Sequence, residues 1–187
     1  MEPKIIALAG GIGSGKSTVA RAIATRLGCP VASFGDYVRS VLKRSQVNPS
    51  RAALQRKSEE LIESLGWQGL TQNVLVEARW TPNQSLVADG IRHPDVIKAL
   101  KVAVAPLPVL VIYLDVEPHV RAARVAARDN LSSDDLAKFD RHPTETSVGN
   151  EVKAMADVTV NASGAAEQTI AQVFQAISSG QQRDYTR

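Results

Sequence analysis

The sequence predicts an α/β fold in which helices flank a five-stranded parallel sheet. Short apolar runs alternate with segments of helical periodicity along the chain, which is typical of parallel strands joined by helices. The first apolar run also leads into a glycine-rich segment and then directly into a helical pattern. In such a sheet, ligands gather at the carboxyl ends of the strands. The predicted strands are residues 5–9, 31–34, 85–88, 109–114 and 158–160.

Residues 10–17 follow the first predicted strand, read GGIGSGKS, and fit the pattern G-x-x-x-x-G-K-[ST]. Val19, Ile23 and Leu27 share one face of the helix that follows, and Gly28 ends that helix. Strand, motif and helix together predict a loop that binds phosphate. A glycine-rich turn that binds nothing is the alternative, and the flanking elements argue against it.

The residue types in this loop are those that a bound triphosphate requires. Glycines let successive N–H groups point at phosphate oxygens, and the helix N-terminus adds positive potential. The Lys16 ammonium is expected to reach the β- and γ-phosphates, and the Ser17 hydroxyl to bind Mg²⁺. The motif therefore predicts a P-loop NTPase fold that binds a nucleoside triphosphate, with ATP as the expected donor, through Gly11, Ile12, Gly13, Ser14, Gly15, Lys16, Ser17 and Thr18.

The second predicted strand ends at the segment FGDYVR, residues 34–39. Asp36 is placed to cap the next helix, and Arg39 falls on its first turn. Both side chains emerge at the carboxyl edge of the sheet, where an arginine can bind the phosphate of a second substrate. A plain helix start with a solvated arginine is the alternative reading of this segment.

The third predicted strand ends at Asp89, in the segment VADGIRHP. An acidic residue that ends an apolar strand is the usual arrangement for orienting Mg²⁺ or its water shell, so Ser17 and Asp89 are the predicted metal ligands. Arg92 follows in a turn and can also hold a phosphate. An Asp-Gly turn with a surface arginine is the alternative, and His93 is expected to be a surface turn residue.

Arg121, Arg124 and Arg128 recur at positions i, i+3 and i+7 and so share a helix face. Such a face predicts a lid that closes over the triphosphate and neutralises charge on the transferred phosphoryl group. Arg141 is expected to complete the lid. A solvated basic face paired with nearby acids such as Asp129 is the alternative.

Composition narrows the classes of partner. The chain has a net charge of +3, and most of its 22 basic side chains are arginines dispersed along the sequence without interleaved aromatics, which argues against a nucleic-acid partner. No apolar run is long enough for a bilayer, no signal-peptide pattern occurs, and Cys29 has no second cysteine for a disulfide. These features predict a cytoplasmic location and do not specify an oligomeric state.

These motifs resemble the nucleoside monophosphate kinases, the adenylate-kinase-like branch of the P-loop kinases. GDYVR (residues 35–39) is similar to that family's T-G-D-x-x-R segment, and DGIR (89–92) to its D-G-F-P-R segment with one residue fewer. The resemblance implies that Asp36, Arg39 and Arg92 bind the acceptor. The segment ADVTVNASG (156–164) is similar to the last strand and the adenine-holding loop, which implies a donor contact at Asn161. Phe34 stands where the family motif has threonine, next to Gly35 and Asp36.

The resemblance implies one P-loop kinase domain over residues 1–178, with an acceptor-binding region at about 36–80 and a lid at about 121–150. Residues 179–187 are expected to be a flexible tail. The expected activity is transfer of the γ-phosphoryl group from ATP·Mg²⁺ to a nucleoside monophosphate or similar small acceptor. Lys16, Arg124, Arg128 and Arg141 would stabilise the transfer.

Two alternatives remain open. The chain also resembles dephospho-CoA kinases, in which the acceptor is a hydroxyl, and Asp36 is placed to act as the base that such an acceptor needs. A nucleotide-binding switch or slow NTPase is a further alternative, because fold alone does not determine function.

Overall fold

A computed structural model describes residues 3–129 and 148–183, and it confirms the predicted five-stranded parallel sheet. The order of the strands in the sheet is β2-β3-β1-β4-β5. The strands are β1 (Ile5–Ala9), β2 (Val31–Ser33), β3 (Leu86–Ile91), β4 (Val109–Asp115) and β5 (Val158–Asn161). The helices that flank them are α1 (Lys16–Leu27), α2 (Phe34–Arg44), α3 (Arg51–Glu77), α4 (Pro94–Ala103), α5 (Pro118–Asp129) and α6 (Ala166–Arg183).

The central strand β1 supplies side chains to two hydrophobic clusters, one on each face of the sheet. Ile5 and Ala7 pack with residues of α2, α3 and α4, whereas Ile6 and Leu8 pack with residues of α1 and α6. All four side chains are fully buried, and each buried Ile or Leu contributes about 1.5–3 kcal/mol to folding. Burial on both faces explains why the run lacks the apolar–polar alternation of a half-exposed strand.

The second strand ends one residue before the predicted boundary, because Ser33 begins a helix. The Ser33 hydroxyl accepts a hydrogen bond from the Asp36 N–H at 3.2 Å and is the N-cap of α2. Asp36 is therefore not the cap that the sequence suggested. It lies in the first turn, where its negative charge is favourable to the helix dipole.

The third strand is longer than predicted and includes Asp89. The pairing of β1 with β3 shifts after Leu8, so that Ala9 pairs with Ile91 and Gly90 forms a bulge. Gly90 has φ of 88°, a conformation that glycine adopts without strain. Ser85, the predicted start of the strand, instead accepts a hydrogen bond from the Lys4 N–H at 3.2 Å.

The predicted helical region at 36–80 resolves into α2 and α3, and α3 is interrupted at Gly66 (φ 64°, ψ 174°). At the other end of the chain, α6 extends through Arg183, into the segment for which a flexible tail was predicted. Ser and Gly have weak helix propensity, whereas Gln is a good helix former, and the flexible tail at 179–187 stays a prediction. Residues 184–187 lie outside the described part of the chain.

The chain re-enters the described structure at a π-helical turn, Val148–Val152. Val152 is fully buried, and the Lys153 ammonium donates to the Asp115 carboxylate at 2.7 Å. That hydrogen bond raises the pKa of Lys153 above its ordinary value. The segment just after the predicted lid region at 121–150 is thus attached to the carboxyl end of β4. None of the described helices is long and apolar enough to cross a bilayer.

Cys29 follows α1 and is partly buried against the second hydrophobic cluster. Burial raises the pKa of its thiol above the ordinary value, against an opposing effect of a backbone hydrogen bond with Val87. A raised pKa disfavours the reactive thiolate, so Cys29 behaves as a small packing residue.

Replacing Ser33 with alanine is expected to lower the free energy of unfolding by about 1 kcal/mol, because the Asp36 N–H at the start of α2 loses its acceptor. Urea denaturation of the wild type, Ser33→Ala and Ser33→Thr measures the effect, and the threonine variant should retain most of the stability. Equal stability of the alanine variant and the wild type would show that Ser33 does not stabilise α2.

Candidate active site

The loop between β1 and α1 adopts a conformation that depends on its glycines. Gly10, Gly13 and Gly15 have φ values of 142°, 82° and 82°, all in the region that L side chains rarely adopt. Gly15 is the N-cap of α1, receives no side-chain cap, and no acidic residue follows it in the first turn. The helix therefore presents its positive N-terminal end to this loop with no acidic side chain in that turn, which favours an anion.

Two of these glycines are also required by packing. A Cβ on Gly13 would lie 2.6 Å from Val125 Cγ2 and 3.0 Å from the Arg121 carbonyl, both in α5. A Cβ on Gly10 would lie 2.7 Å from the Leu114 carbonyl at the end of β4. The loop is thus enclosed by α5 on one side and by β4 on the other, and there is no room for a side chain at either position.

Lys16 is buried, with 6% of its surface exposed. Its ammonium donates to the carbonyls of Gly10 and Gly11 at 2.6 and 2.7 Å, and to the Ser14 hydroxyl at 3.1 Å. The glycine-rich loop therefore holds the lysine head group in place through its own acceptors. A buried ammonium among polar loop groups at a helix N-terminus is suited to an anion that replaces some of these contacts.

Asp89 lies at the carboxyl end of β3, with 4% of its surface exposed. Its Oδ2 accepts a hydrogen bond from the Ser17 hydroxyl at 2.8 Å, and the Ser33 hydroxyl lies 3.5 Å from the same oxygen. Its Oδ1 is buried, and no group in the described part of the chain donates to it. A buried carboxylate oxygen without a partner is costly, so the site favours a cation.

The residues at this position fit Mg²⁺. A hydroxyl and a carboxylate supply the hard oxygen atoms that this ion prefers, and Mg²⁺ is commonly bound by one or two carboxylates together with waters and phosphates. Within residues 3–129 and 148–183, no cluster of three His, Cys, Asp or Glu side chains forms a ready-made metal cage. Ser17 and Asp89 are therefore brought together as predicted, and their role as metal ligands remains a prediction.

The predicted acceptor residues lie on the other side of Asp89. Arg39 donates to the Asp36 carboxylate at 2.6 Å, and the two side chains are 50% and 57% exposed. The start of α2 packs on the bulge in β3, since a Cβ on Gly90 would lie 3.6 Å from the Gly35 nitrogen. Arg92 follows β3 directly and is half-buried. The structure thus places all three residues where β2 and β3 end.

His93 has a structural role that the sequence indicated only in part. It is the N-cap of α4, where its Nδ1 accepts a hydrogen bond from the Asp95 N–H at 3.2 Å. Its ring stacks on Trp67 with centroids 4.4 Å apart and planes at 13°. The half-buried ring therefore ties α3 to the turn that carries Arg92. Trp67 is partly buried against the first hydrophobic cluster.

The structure describes two of the arginines predicted to form the lid face. Arg121 and Arg124 lie in α5, and the Arg124 guanidinium donates to the carbonyls of Ala162, Ser163 and Gly164 at 2.8, 3.3 and 2.8 Å. Acidic partners such as Asp129 were the alternative, and the partners of Arg124 among the described residues are backbone carbonyls. The side chain of Arg128 and the whole of Arg141 lie outside the described residues.

Asn161 ends β5 and shapes the loop that follows. Its side-chain carbonyl accepts a hydrogen bond from the Ser163 N–H at 2.9 Å. This contact closes a tight turn and leaves the Asn161 amide group for another partner. The predicted contact of Asn161 with the donor remains a prediction.

Ser33 is the site residue that the sequence reasoning missed. Its hydroxyl touches both the Asp36 N–H and Asp89 Oδ2, so it connects the start of α2 to the acidic residue. The signal was present: residues 33–36 read SFGD, which fits the capping pattern [ST]-x-x-[DE].

Comparison with known proteins identifies relatives of the chain. Residues 9–141 match the sequence profile of a family described as the AAA domain. The UPF0200/UPF0201 protein of Archaeoglobus fulgidus is 33% identical over 94% of this chain, and the UPF0200 protein of Pyrobaculum aerophilum is 32% identical over 73% of this chain and 72% of its own length. A dephospho-CoA kinase of Corynebacterium efficiens is 26% identical over 92% of this chain and 95% of its own length.

The chain spans about half the length of some of these relatives. The match covers 55% of the Archaeoglobus fulgidus protein and 50% of a UPF0200 protein of Aeropyrum pernix.

Solved structures share the fold along nearly the whole chain. TT1252 from Thermus thermophilus aligns with a TM-score of 0.64 at 19% identity, covering 96% of this chain and 98% of its own. Shikimate kinase from Acinetobacter baumannii, in complex with shikimate, aligns with a TM-score of 0.61 at 20% identity, covering 95% of this chain and 94% of its own. These likenesses confirm the predicted P-loop fold.

Replacing Gly13 with alanine is expected to destabilise the protein by about 3 kcal/mol, because the new Cβ overpacks against Val125 and residue 13 keeps a strained φ. Gly28→Ala is the matched control: φ is 63°, nothing lies within 4 Å of its Cβ, and the strained φ alone should cost about 1 kcal/mol. Chemical denaturation compares the two variants. Equal losses would show that α5 does not pack on the loop as described.

Proposed function

We propose that this chain, which belongs to the AAA domain family and is related to the UPF0200 proteins, is an ATP- and Mg²⁺-dependent small-molecule kinase. The observation that carries the proposal is the Ser17–Asp89 contact beside the glycine-rich loop, in which one buried carboxylate oxygen lacks a partner within the described residues. A phosphate-binding loop next to a cation-seeking carboxylate suits Mg²⁺-bound triphosphate.

Each side of the site has a separate task in this scheme. Residues 11–18 would bind the triphosphate of ATP, with Lys16 released from the loop carbonyls to the phosphates. Ser17 and Asp89 would hold Mg²⁺, which supplies charge neutralisation at the phosphate oxygens when bound. Arg39 and Arg92 would bind a phosphate of the acceptor at the ends of β2 and β3. Arg128 and Arg141 are the proposed lid cations.

A nucleoside monophosphate or a similar phosphorylated small molecule is the proposed acceptor. An acceptor phosphate oxygen is already a nucleophile, so positioning and charge neutralisation can carry the transfer without a base. The acceptor-binding region at 36–80 and the lid at 121–150 are parts of one proposed domain. Asp36 then serves to orient Arg39, to which it is already bonded at 2.6 Å.

A hydroxyl-directed kinase is the second candidate, and two observations favour it. The Asp36 carboxylate is more than half exposed at the same edge of the sheet, where it can accept a proton from an acceptor hydroxyl. The dephospho-CoA kinase of Corynebacterium efficiens is related over nearly the full chain. Under this candidate Asp36 acts as the base, and Arg39 orients it.

Replacing Lys16 with alanine is expected to reduce phosphotransfer by about 100-fold or more, because the site loses a preorganised cation at the transferred group. Lys101→Ala removes an exposed charge on α4 and is the matched control. The assay measures ADP formation from ATP with each acceptor. Full activity of the Lys16→Ala variant would refute the proposed donor site.

An acceptor panel separates the two candidates. The wild type is tested with the common nucleoside monophosphates and with dephospho-CoA, and ADP release is compared with release in the absence of acceptor. For a monophosphate acceptor, Arg39→Ala should raise KM about tenfold or more through loss of a charge-assisted contact, with a smaller effect of Asp36→Asn. For a hydroxyl acceptor, Asp36→Asn should instead lower kcat by about 100-fold. ADP release that no acceptor stimulates would contradict both candidates.

A further inference from the structure

The loop after β5, residues 162–165, is held mainly from α5. Three successive carbonyls, those of Ala162, Ser163 and Gly164, accept hydrogen bonds from the single guanidinium of Arg124. A planar fork with several fixed donors can bind three carbonyls at once, and a lysine ammonium on a flexible stem holds such a set less rigidly. The conformation of this loop is therefore set by a side chain 38 to 40 residues earlier in the sequence.

Further contacts fix the loop against the end of β4. The Glu117 N–H, just before α5, donates to the Ser163 hydroxyl at 3.0 Å. The Ala162 N–H donates to the Asp115 carbonyl at 2.7 Å, which extends the β4–β5 ladder by one residue. The loop is thus fixed by Arg124 of α5, by the Glu117 N–H and by the end of β4.

The same helix encloses the glycine-rich loop. Val125 follows Arg124 directly and packs so closely on Gly13 that no Cβ fits between them. One turn of α5 therefore touches the phosphate-binding loop with one residue and the loop after β5 with its neighbour. The relative position of these two loops depends on α5.

The strand order places the loop after β5 on the opposite side of β1 from the predicted acceptor residues, which is the side left for the donor nucleotide. Asp89, Ser33 and Asp36 lie at the ends of β3 and β2, on one side of β1, whereas the loop after β5 lies on the other side. Strands are spaced by about 4.8 Å, so the end of β5 lies about 10 Å from the end of β1. That distance is within reach of a nucleotide whose phosphates sit in the β1–α1 loop.

We propose that Arg124 is a positioning residue that sets the affinity for the nucleobase of the donor. It fixes the loop after β5 as the base-side wall of the pocket, and it does not deliver its charge to the phosphates. This inference rests on the kinase function proposed above, and it replaces the expectation that Arg124 stabilises the transferred phosphoryl group. Three hydrogen bonds to carbonyls hold the Arg124 guanidinium at the loop after β5.

The test compares ATP, GTP and inorganic tripolyphosphate as ligands, each with Mg²⁺, by isothermal titration calorimetry. The variants are Arg124→Ala and Arg124→Lys, and the lysine variant retains the positive charge. Arg21→Ala is the matched control because it removes an exposed arginine from α1. Ser163→Ala removes the hydrogen bond between the Glu117 N–H and the loop after β5.

Arg124→Lys is expected to weaken ATP binding about tenfold, because the loop loses one well-formed set of hydrogen bonds. Its affinity for tripolyphosphate should stay within about twofold of the wild type, because the positive charge is kept. Arg124→Ala should follow the same pattern with a larger loss for ATP. The ratio of ATP to GTP affinity should also fall towards one. Ser163→Ala should shift ATP in the same direction by a smaller factor, and Arg21→Ala should change neither ligand.

Two results would overturn the inference. Equal losses for ATP and tripolyphosphate would show that Arg124 acts on the phosphates, and unchanged ATP binding by both Arg124 variants would show that the loop holds without it. A wild type that binds neither ligand would instead refute the proposed donor site, so the two failures are distinguishable. Thermal unfolding of each variant confirms that the comparison is made on folded protein.

Discussion

The buried carboxylate of Asp89 is the constraint on which the candidate site depends. Removing a carboxylate from water costs several kcal/mol unless it is compensated by hydrogen bonds or a cation. Here one oxygen accepts from Ser17 and lies near Ser33, and the other finds no donor among the described residues. The sheet supplies this carboxylate at the end of β3, and a bound cation would offset its cost.

The sheet order then determines what can lie around Asp89. Because β1 and β3 are neighbours, the N-terminus of α1 and its Ser17 meet the carboxylate directly. Because β2 pairs with β3, the start of α2 arrives on the far side with Asp36 and Arg39. The β4 and β5 ends lie on the opposite side of β1, with α5 and the loop that Arg124 holds. A two-substrate site with separate donor and acceptor sides is consistent with this geometry.

Much of the fold and part of the site could be predicted from the sequence because their causes are local. Gly10, Gly13 and Gly15 are required by the backbone conformation at their own positions, and β1, β3 and β4 are apolar runs buried on both faces. Asp89 could be located because an acidic residue after an apolar run is a local signal. The P-loop fold is confirmed, and the nucleoside monophosphate kinase subgroup remains a prediction.

The rest depended on tertiary contacts that no local pattern contains. Arg124 has partners 38 to 40 residues away, so its spacing in the sequence indicated a shared helix face and not its actual acceptors. Trp67 in α3 stacks on His93, the N-cap of α4. The interruption of α3 at Gly66 has no neighbouring proline or turn sequence that would predict it. Binding of Mg²⁺ by Ser17 and Asp89 beside ATP is tested by the ATP affinity of the wild type and of Asp89→Asn, each measured with and without Mg²⁺. Mg²⁺ is expected to tighten ATP binding to the wild type and to have little effect on the variant. Equal tightening in both proteins would contradict a metal site at Asp89.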